Sequence, residues 1–169
     1  INIITKTGED LDGGYASASY GISKGSTSRA NGQFGIGKKL SNGLDFSFTG
    51  SYSEANRSNE KIDYQTDTYD PDYEGAPNTF NYADSSKSKN LNLNLGVKYK
   101  GISVKAIVQD HKLEKNNYNA DWMQFGGVYL SGKYEWEVNN KLTITPQLSW
   151  KKEHPWSYTG NVSDEYNQY

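Results

Sequence analysis

The chain has 169 residues, 20 of them acidic and 18 basic, and the formal charge of −2 leaves no electrostatic case for a nucleic-acid partner. Cysteine is absent, which excludes disulfide staples, thiol catalysis and cysteine-bound zinc together. Mean hydropathy is −0.89, a value met in disordered chains, yet aromatic residues reach 14%, and disordered chains are poor in aromatics.

The first six residues, INIITK, are an apolar, β-branched run that reads as a strand. A short polar stretch, 8–12, follows, and from Gly13 onward the dominant period is two rather than 3.6. The alternation predicts strands over 13–24, 27–40, 44–56, 89–99, 102–109, 122–138 and 142–152. Phe34, Ile36 and Leu40 share one face, with Lys38 as the misfit; Ser41-Asn42-Gly43 then forms a three-residue loop that returns Leu44, Phe46, Phe48 and Tyr52 to that face. Leu91, Leu93, Leu95, Val97 and Tyr99 alternate with polar residues. Across a two-residue turn, Lys100-Gly101, the pattern resumes with Ile102, Val104, Ala106 and Val108, and Ile107 is the exception. Val128, Leu130, Tyr134, Trp136 and Val138 run into the loop Asn139-Asn140-Lys141, then Leu142, Ile144, Leu148 and Trp150. Pro146 suits no continuous ladder, so a bulge is expected there.

Connections differ in length between the two ends. Those after the second, fourth and sixth strands have two or three residues, whereas 57–88 and 110–121 are long and 153–169 runs off the chain; the first, Gly25-Ser26, is the only short member of the long-loop end. Short turns at one end and long loops at the other is the pattern of an outer-membrane barrel. No segment approaches the ~20 apolar residues of a membrane helix, but a barrel crosses with strands and escapes that test. The fold class is therefore all-β: an antiparallel, up-and-down transmembrane β-barrel portion. Seven strands ending in a loop cannot close, so the chain is expected to be a piece of something larger.

INIITK, the polar linker and the Gly-rich GGYASASYG together resemble the plug-to-barrel junction of TonB-dependent outer-membrane receptors. RANGQFGIGKKLSNGLDFSFTGSYSEANR is similar to that family's second and third barrel strands. The resemblance covers Ile1 to about Arg57 by motif and the rest by architecture. It implies a barrel of about 22 strands with an N-terminal plug, of which residues 1–7 would end the plug, 8–12 link it, and 13–169 form the first part of the barrel. It further implies a bacterial outer-membrane location, a TonB-type energy-coupling protein acting through the upstream part, and a small-molecule or glycan substrate. A surface lipoprotein is a further partner to test.

On this reading Phe46, Phe48, Leu91, Leu93, Leu95, Val97, Val104, Leu130, Ile144 and Leu148 face lipid, and Tyr52, Tyr99, Tyr134, Trp136 and Trp150 suit an interfacial aromatic girdle. The outer loops carry exposed rings fit for ligand stacking: Tyr64, Tyr69, Tyr73, Phe80, Tyr82, Tyr118, Trp156 and Tyr158. The same rings could instead pack the loops against themselves. Calcium is the one cofactor the sequence suggests, because Asp70, Asp72 and Glu74 alternate and, with Asp67, could aim oxygens at one hard cation. A solvated acidic loop is the other reading. His111 and His154 stand at the feet of outer loops, and GQFGIG at 32–37 lies in a strand with no helix after it, so it is no phosphate loop. No catalytic constellation occurs, and the chain is not read as an enzyme. The functions to weigh are a plug-gated importer of a scarce nutrient (siderophore, cobalamin, haem or glycan), a soluble β-sandwich binding module, and a passive pore or adhesin.

Overall fold

The structure is a computed structural model that describes residues 6–23, 27–58, 61–63, 79–81, 86–117 and 120–159, with backbone alone at 61–63, 79–81, 115–117, 120–121 and 155–159. One helical turn, α1 (Gly8–Leu11), precedes eleven strands: β1 (Gly13–Ile22), β2 (Ser28–Lys39), β3 (Asp45–Asn56), β4 (Lys61–Asp63), β5 (Thr79–Asn81), β6 (Lys87–Tyr99), β7 (Ile102–Asn117), β8 (Ala120–Tyr134), β9 (Trp136–Asn139), β10 (Leu142–Ile144) and β11 (Gln147–Thr159). Seven of them form one antiparallel sheet in the order β1-β2-β3-β6-β7-β8-β11, an up-and-down meander. β9 and β10 continue the last hairpin as a two-stranded ribbon, and β4 pairs with β5 inside the 57–88 connection.

Local chemistry sets the hairpins. Gly43 takes φ +87°, its N–H donates to the Leu40 carbonyl, and the Leu40 N–H reaches the Leu44 carbonyl at 2.7 Å, so the three-residue loop keeps Leu40 opposite Leu44. Lys100 and Gly101 both have positive φ, as a two-residue turn of the I′ kind needs, and Tyr99 pairs with Ile102. The third hairpin departs from expectation. Its loop is Asn140-Lys141 with Asn139 opposite Leu142, and a bulge between Leu142 and Thr143 restores Ile144 to the Trp136 face. Near Pro146 the ladder is interrupted at Thr145-Pro146 and Glu135, while the Pro146 carbonyl still accepts from the Tyr134 N–H at 3.1 Å.

Two outer boundaries also move. β7 runs on to Asn117 where a loop was expected from 110, and β11 runs to Thr159 where one was expected from 153. The predicted 57–88 loop holds the β4–β5 pair, and the predicted polar linker 8–12 contains α1.

Among the described residues the sheet has no second layer. Ser86 is the one fully buried side chain among the described residues. Total accessible surface is 12922 Å², against about 8,300 Å² for a compact monomer of this mass. Large apolar side chains accordingly stand in the open, Leu148 at 79% and Ile36 at 51% exposure. β1 and β11 are edge strands, and β1 (GGYASASYGI) carries no charge or proline to blunt its edge.

Candidate functional site

The ladder registers place the expected lipid-facing residues of the seven-stranded sheet on one face, and Ile144 lies opposite Trp136 in the separate β9–β10 ribbon. Phe48 is opposite Leu95, Leu95 opposite Ala106, Ala106 opposite Leu130, and Leu130 opposite Trp150. Phe46, Val97 and Val104 form the next row toward the short turns; Leu91 and Leu93 lie on the other side, and Leu148 continues the face. Glycines here take neighbouring rings: Phe34 covers Gly50 so closely that a Cβ would strike its Cζ at 2.7 Å, with Leu93 Cδ2 at 3.0 Å. The opposite face carries Thr49, Ser51, Asn90, Asn92, Asn94, Gln109, Ser131 and Ser149, one residue out of phase.

The apolar band does not run straight across the ladder. On β6 it spans Leu91–Tyr99, nine residues; on β1 it is Gly14–Ile22, and on the β10–β11 line it is Leu142–Trp150, with Pro146 at its centre. The ladder row through Ala18, the centre on β1, passes Gly32, Tyr52, Leu91, Asp110 and Gly126 to reach His154, eight residues from Pro146. Eight residues over six strand-to-strand steps, at ~3.4 Å per residue and ~4.8 Å per strand, tilt the band by about 43° from the ladder rows. Polar groups bound it on the long-loop side. Tyr52 donates to Glu54 at 3.2 Å, Lys89 pairs with Glu54 at 3.6 Å and lies over the Trp122 ring at 5.4 Å, and Gln124 donates to Asp110 at 2.6 Å. Tyr99, Tyr134 and Trp136 mark the short-turn side, and Trp150 the other end of its strand's nine residues.

At the short-turn end α1 sits on the polar face. Asp45, 7% exposed, accepts from the Gly8 N–H at 2.6 Å and the Glu9 N–H at 3.4 Å, capping a helix 36 residues upstream. Thr7 and Asp10 complete a capping box, and the hydrogen bonds from the Thr7 N–H and hydroxyl hold the Asp10 carboxyl below its usual range. Gly37 gives α1 its seat: a Cβ there would lie 2.8 Å from Gly8 Cα and 2.9 Å from the Phe46 carbonyl. Glu9 adds an exposed ion pair with Lys39 at 2.8 Å.

Toward the long loops the polar face holds a depression of about 450 Å³ lined by Asn90, Asn92, Gln109, His111, Phe125, Tyr129 and Glu153. His111 leans on Phe125 with ring centroids 4.4 Å apart. The Tyr129 ring lies over Gly127, where a Cβ would come within 3.1 Å of Cζ and Oη, and its hydroxyl donates to Glu153 at 3.1 Å. Glu153 is also paired with Lys151 at 3.0 Å. Ile107, the misfit of the sequence pattern, is directly opposite Tyr129 on this face. Beyond the depression, Ser86 ties the root of the 57–88 connection together, its hydroxyl bonded to Asn56 Oδ1 at 2.6 Å and the Ser58 carbonyl at 2.7 Å.

Tyr64, Tyr69, Tyr73, Tyr82, Tyr118 and the acidic set Asp67, Asp70, Asp72 and Glu74 lie outside the described residues. Phe80 is placed in β5 opposite Ile62, and Tyr158 in β11 opposite Met123; Trp156 falls in the β11 irregularity between His154 and Ser157, in a strand rather than a loop. Among the described residues no His, Asp and Glu cluster could hold a metal ion, and no helix is long and apolar enough to cross a membrane. No protein-family model, curated protein or solved structure matches the chain.

Proposed function

We propose that this chain is part of the wall of an outer-membrane β-barrel, and that the barrel belongs to a plug-gated importer of the TonB-dependent kind. The carrying observation is the diagonal apolar band. It is nine residues deep, which suits a transmembrane β-strand of about 9–11 residues. Its slope of about 43° falls within the ~35–45° tilt that strands take in such barrels. A band level in the membrane has to cross tilted strands in this way. A soluble sandwich has no reason to shift its apolar residues along successive strands, and it would cover them with a second sheet.

The importer reading rests on the resemblance at Ile1–Arg57 and on α1. A passive pore has no use for a segment capped by Asp45 onto the polar face below the first strand, whereas a plug must be tethered there. On this reading outer loops capture a scarce nutrient, the coupling protein acts on the plug upstream of Thr7, and the barrel wall stays fixed. A surface lipoprotein on the 57–88 side would assist capture. The test uses the full-length protein carrying this chain, expressed in an outer-membrane host. Heat-modifiable mobility in the outer-membrane fraction, together with substrate uptake abolished by a protonophore, is the expected result. A water-soluble product would refute the barrel, and uptake indifferent to the protonophore would refute the importer.

A further inference from the structure

We propose that the depression around Tyr129 is a carbohydrate subsite on the inner wall of the barrel. Three features of one small area carry this. First, Tyr129 is laid over Gly127, a glycine on which no side chain fits beside the ring, and His111 and Phe125 stand as a second ring pair next to it. A ring face carries partial negative charge, and the C–H faces of a sugar carry the complement. Second, Asn90, Asn92 and Gln109 enter the same depression from two adjacent strands. Asn90 already gives one N–H to the Ser53 hydroxyl at 3.1 Å; an amide side chain carries both donors and an acceptor, the combination that neighbouring hydroxyl groups satisfy. Third, the carboxylates of the depression are already paired. Glu153 is held by Lys151 and by the Tyr129 hydroxyl, and Asp110 by Lys112 at 3.8 Å and by the Gln124 amide at 2.6 Å. An anionic metal chelate would want cations in place of amides and rings. The ligand class that fits is a neutral oligosaccharide.

This deepens the proposed function in one respect, since the barrel reading places the patch in the lumen; the patch itself follows from the sheet register. The test takes the full-length protein in detergent, with an array of neutral oligosaccharides (maltohexaose, cellohexaose and xylohexaose included) and ferric citrate as the anionic probe. Isothermal titration should find a neutral oligosaccharide that binds. Tyr129→Ala should weaken it at least about tenfold and Asn92→Ala about fivefold, the scale of losing a stacking anchor or a buried polar contact. Tyr129→Phe, which keeps the ring, should stay within about twofold. Tyr15→Ala removes the other ring laid over a glycine of this face, at Gly35, and should change nothing. Binding of ferric citrate that Tyr129→Ala weakens, an array with no binder, or sugar binding indifferent to both alanine variants would each overturn the proposal. Heat-modifiable mobility of the same preparations separates the two readings: sugar binding that depends on Tyr129 in a soluble, unmodifiable protein would leave the subsite standing and remove the barrel.

Discussion

Arginine placed along β6 should report the bilayer as a depth profile. Leu95 is the midpoint of Leu91–Tyr99, lies between Phe48 and Ala106, and is 44% exposed. At the bilayer midplane Leu95→Arg should cost about 2–4 kcal/mol, which is about thirtyfold or more in the folding equilibrium. Leu91 and Tyr99 are each four residues away, ~13 Å along the strand and about 10 Å in depth at barrel tilts, where the same change should cost ~0–1 kcal/mol. Asn94 is one residue from Leu95 but points to the polar face opposite Thr49. There arginine should stay within about 0.5 kcal/mol, as for an ordinary solvated site. The diagonal adds a sharper contrast. Gly14 shares a ladder row with Leu95, and Ala18 does not, yet Ala18→Arg should be the costly change and Gly14→Arg the cheap one. The assay is reversible urea unfolding of the full-length protein from lipid vesicles. Equal costs at Leu91, Leu95 and Tyr99, or costs that follow the ladder row rather than the diagonal, would refute the reasoning.

Four further outcomes are expected. Asp45→Ala should free the N–H groups of Gly8 and Glu9, raising their hydrogen exchange about 2- to 30-fold, the range for a lost helix cap; Gly37→Ala should likewise unseat α1 while leaving the barrel heat-modifiable, and lost barrel assembly would contradict this. Because the Asp10 carboxyl titrates below its unfolded value of roughly 4, its contribution to the capping box is complete above that pH and is lost as pH falls through the lower native value; protection of the Thr7 amide should be flat from pH 7 to about 5 and decline in stronger acid, and Asp10→Asn should abolish that decline. Replacing 59–85 with a Gly-Ser linker should spare the barrel, since loop closure depends only logarithmically on length, and should weaken substrate or partner binding at least about tenfold; extending the replacement through Ser86 should also loosen the strand ends, because its hydroxyl bonds Asn56 and Ser58. If Asp70, Asp72 and Glu74 bind calcium, neutralising any two should remove calcium-dependent protection of that loop from protease, and protection indifferent to a chelator in the unmutated protein would dismiss the site.

The sheet was legible because a strand with one apolar and one polar face imposes a period of two on its sequence. That signal identified the seven principal strands, the turns at Gly43 and Lys100-Gly101, and the face shared by Phe48, Leu95 and Leu130. It failed where both faces are wet. In β7 the segment DHKLEKNN carries polar groups on either side, so nothing in its pattern distinguishes strand from loop, and the strand's extension to Asn117 was invisible. The same holds for β11 beyond Glu153. The Asn139–Lys141 turn was misjudged by one residue because the compensating bulge hides the change of parity. Asp45 gave no sign of its role, since the helix that it caps lies 36 residues upstream and has only one turn. Tyr129 and Phe125 carried no signal in the sequence; the register sets Phe125 opposite His111, and the depression gathers both with Asn92 and Glu153.

The central claim, that the apolar face meets lipid and the other face meets water, can be measured directly by single-site labelling, with any cysteine outside these 169 residues replaced, since the chain itself has none. Nitroxides at Ala18, Phe48, Leu95 and Leu130 of the full-length protein in bilayers should be relaxed by oxygen and shielded from a nickel chelate. Labels at Thr49, Asn94 and Ser131 should show the reverse, and shielding should peak along the diagonal from Ala18 through Leu95 toward Pro146. Labels at Leu95 and Leu130 closed to both reagents would mean a protein core, and labels there open to the nickel chelate would mean a water-exposed sheet; either result would contradict the account.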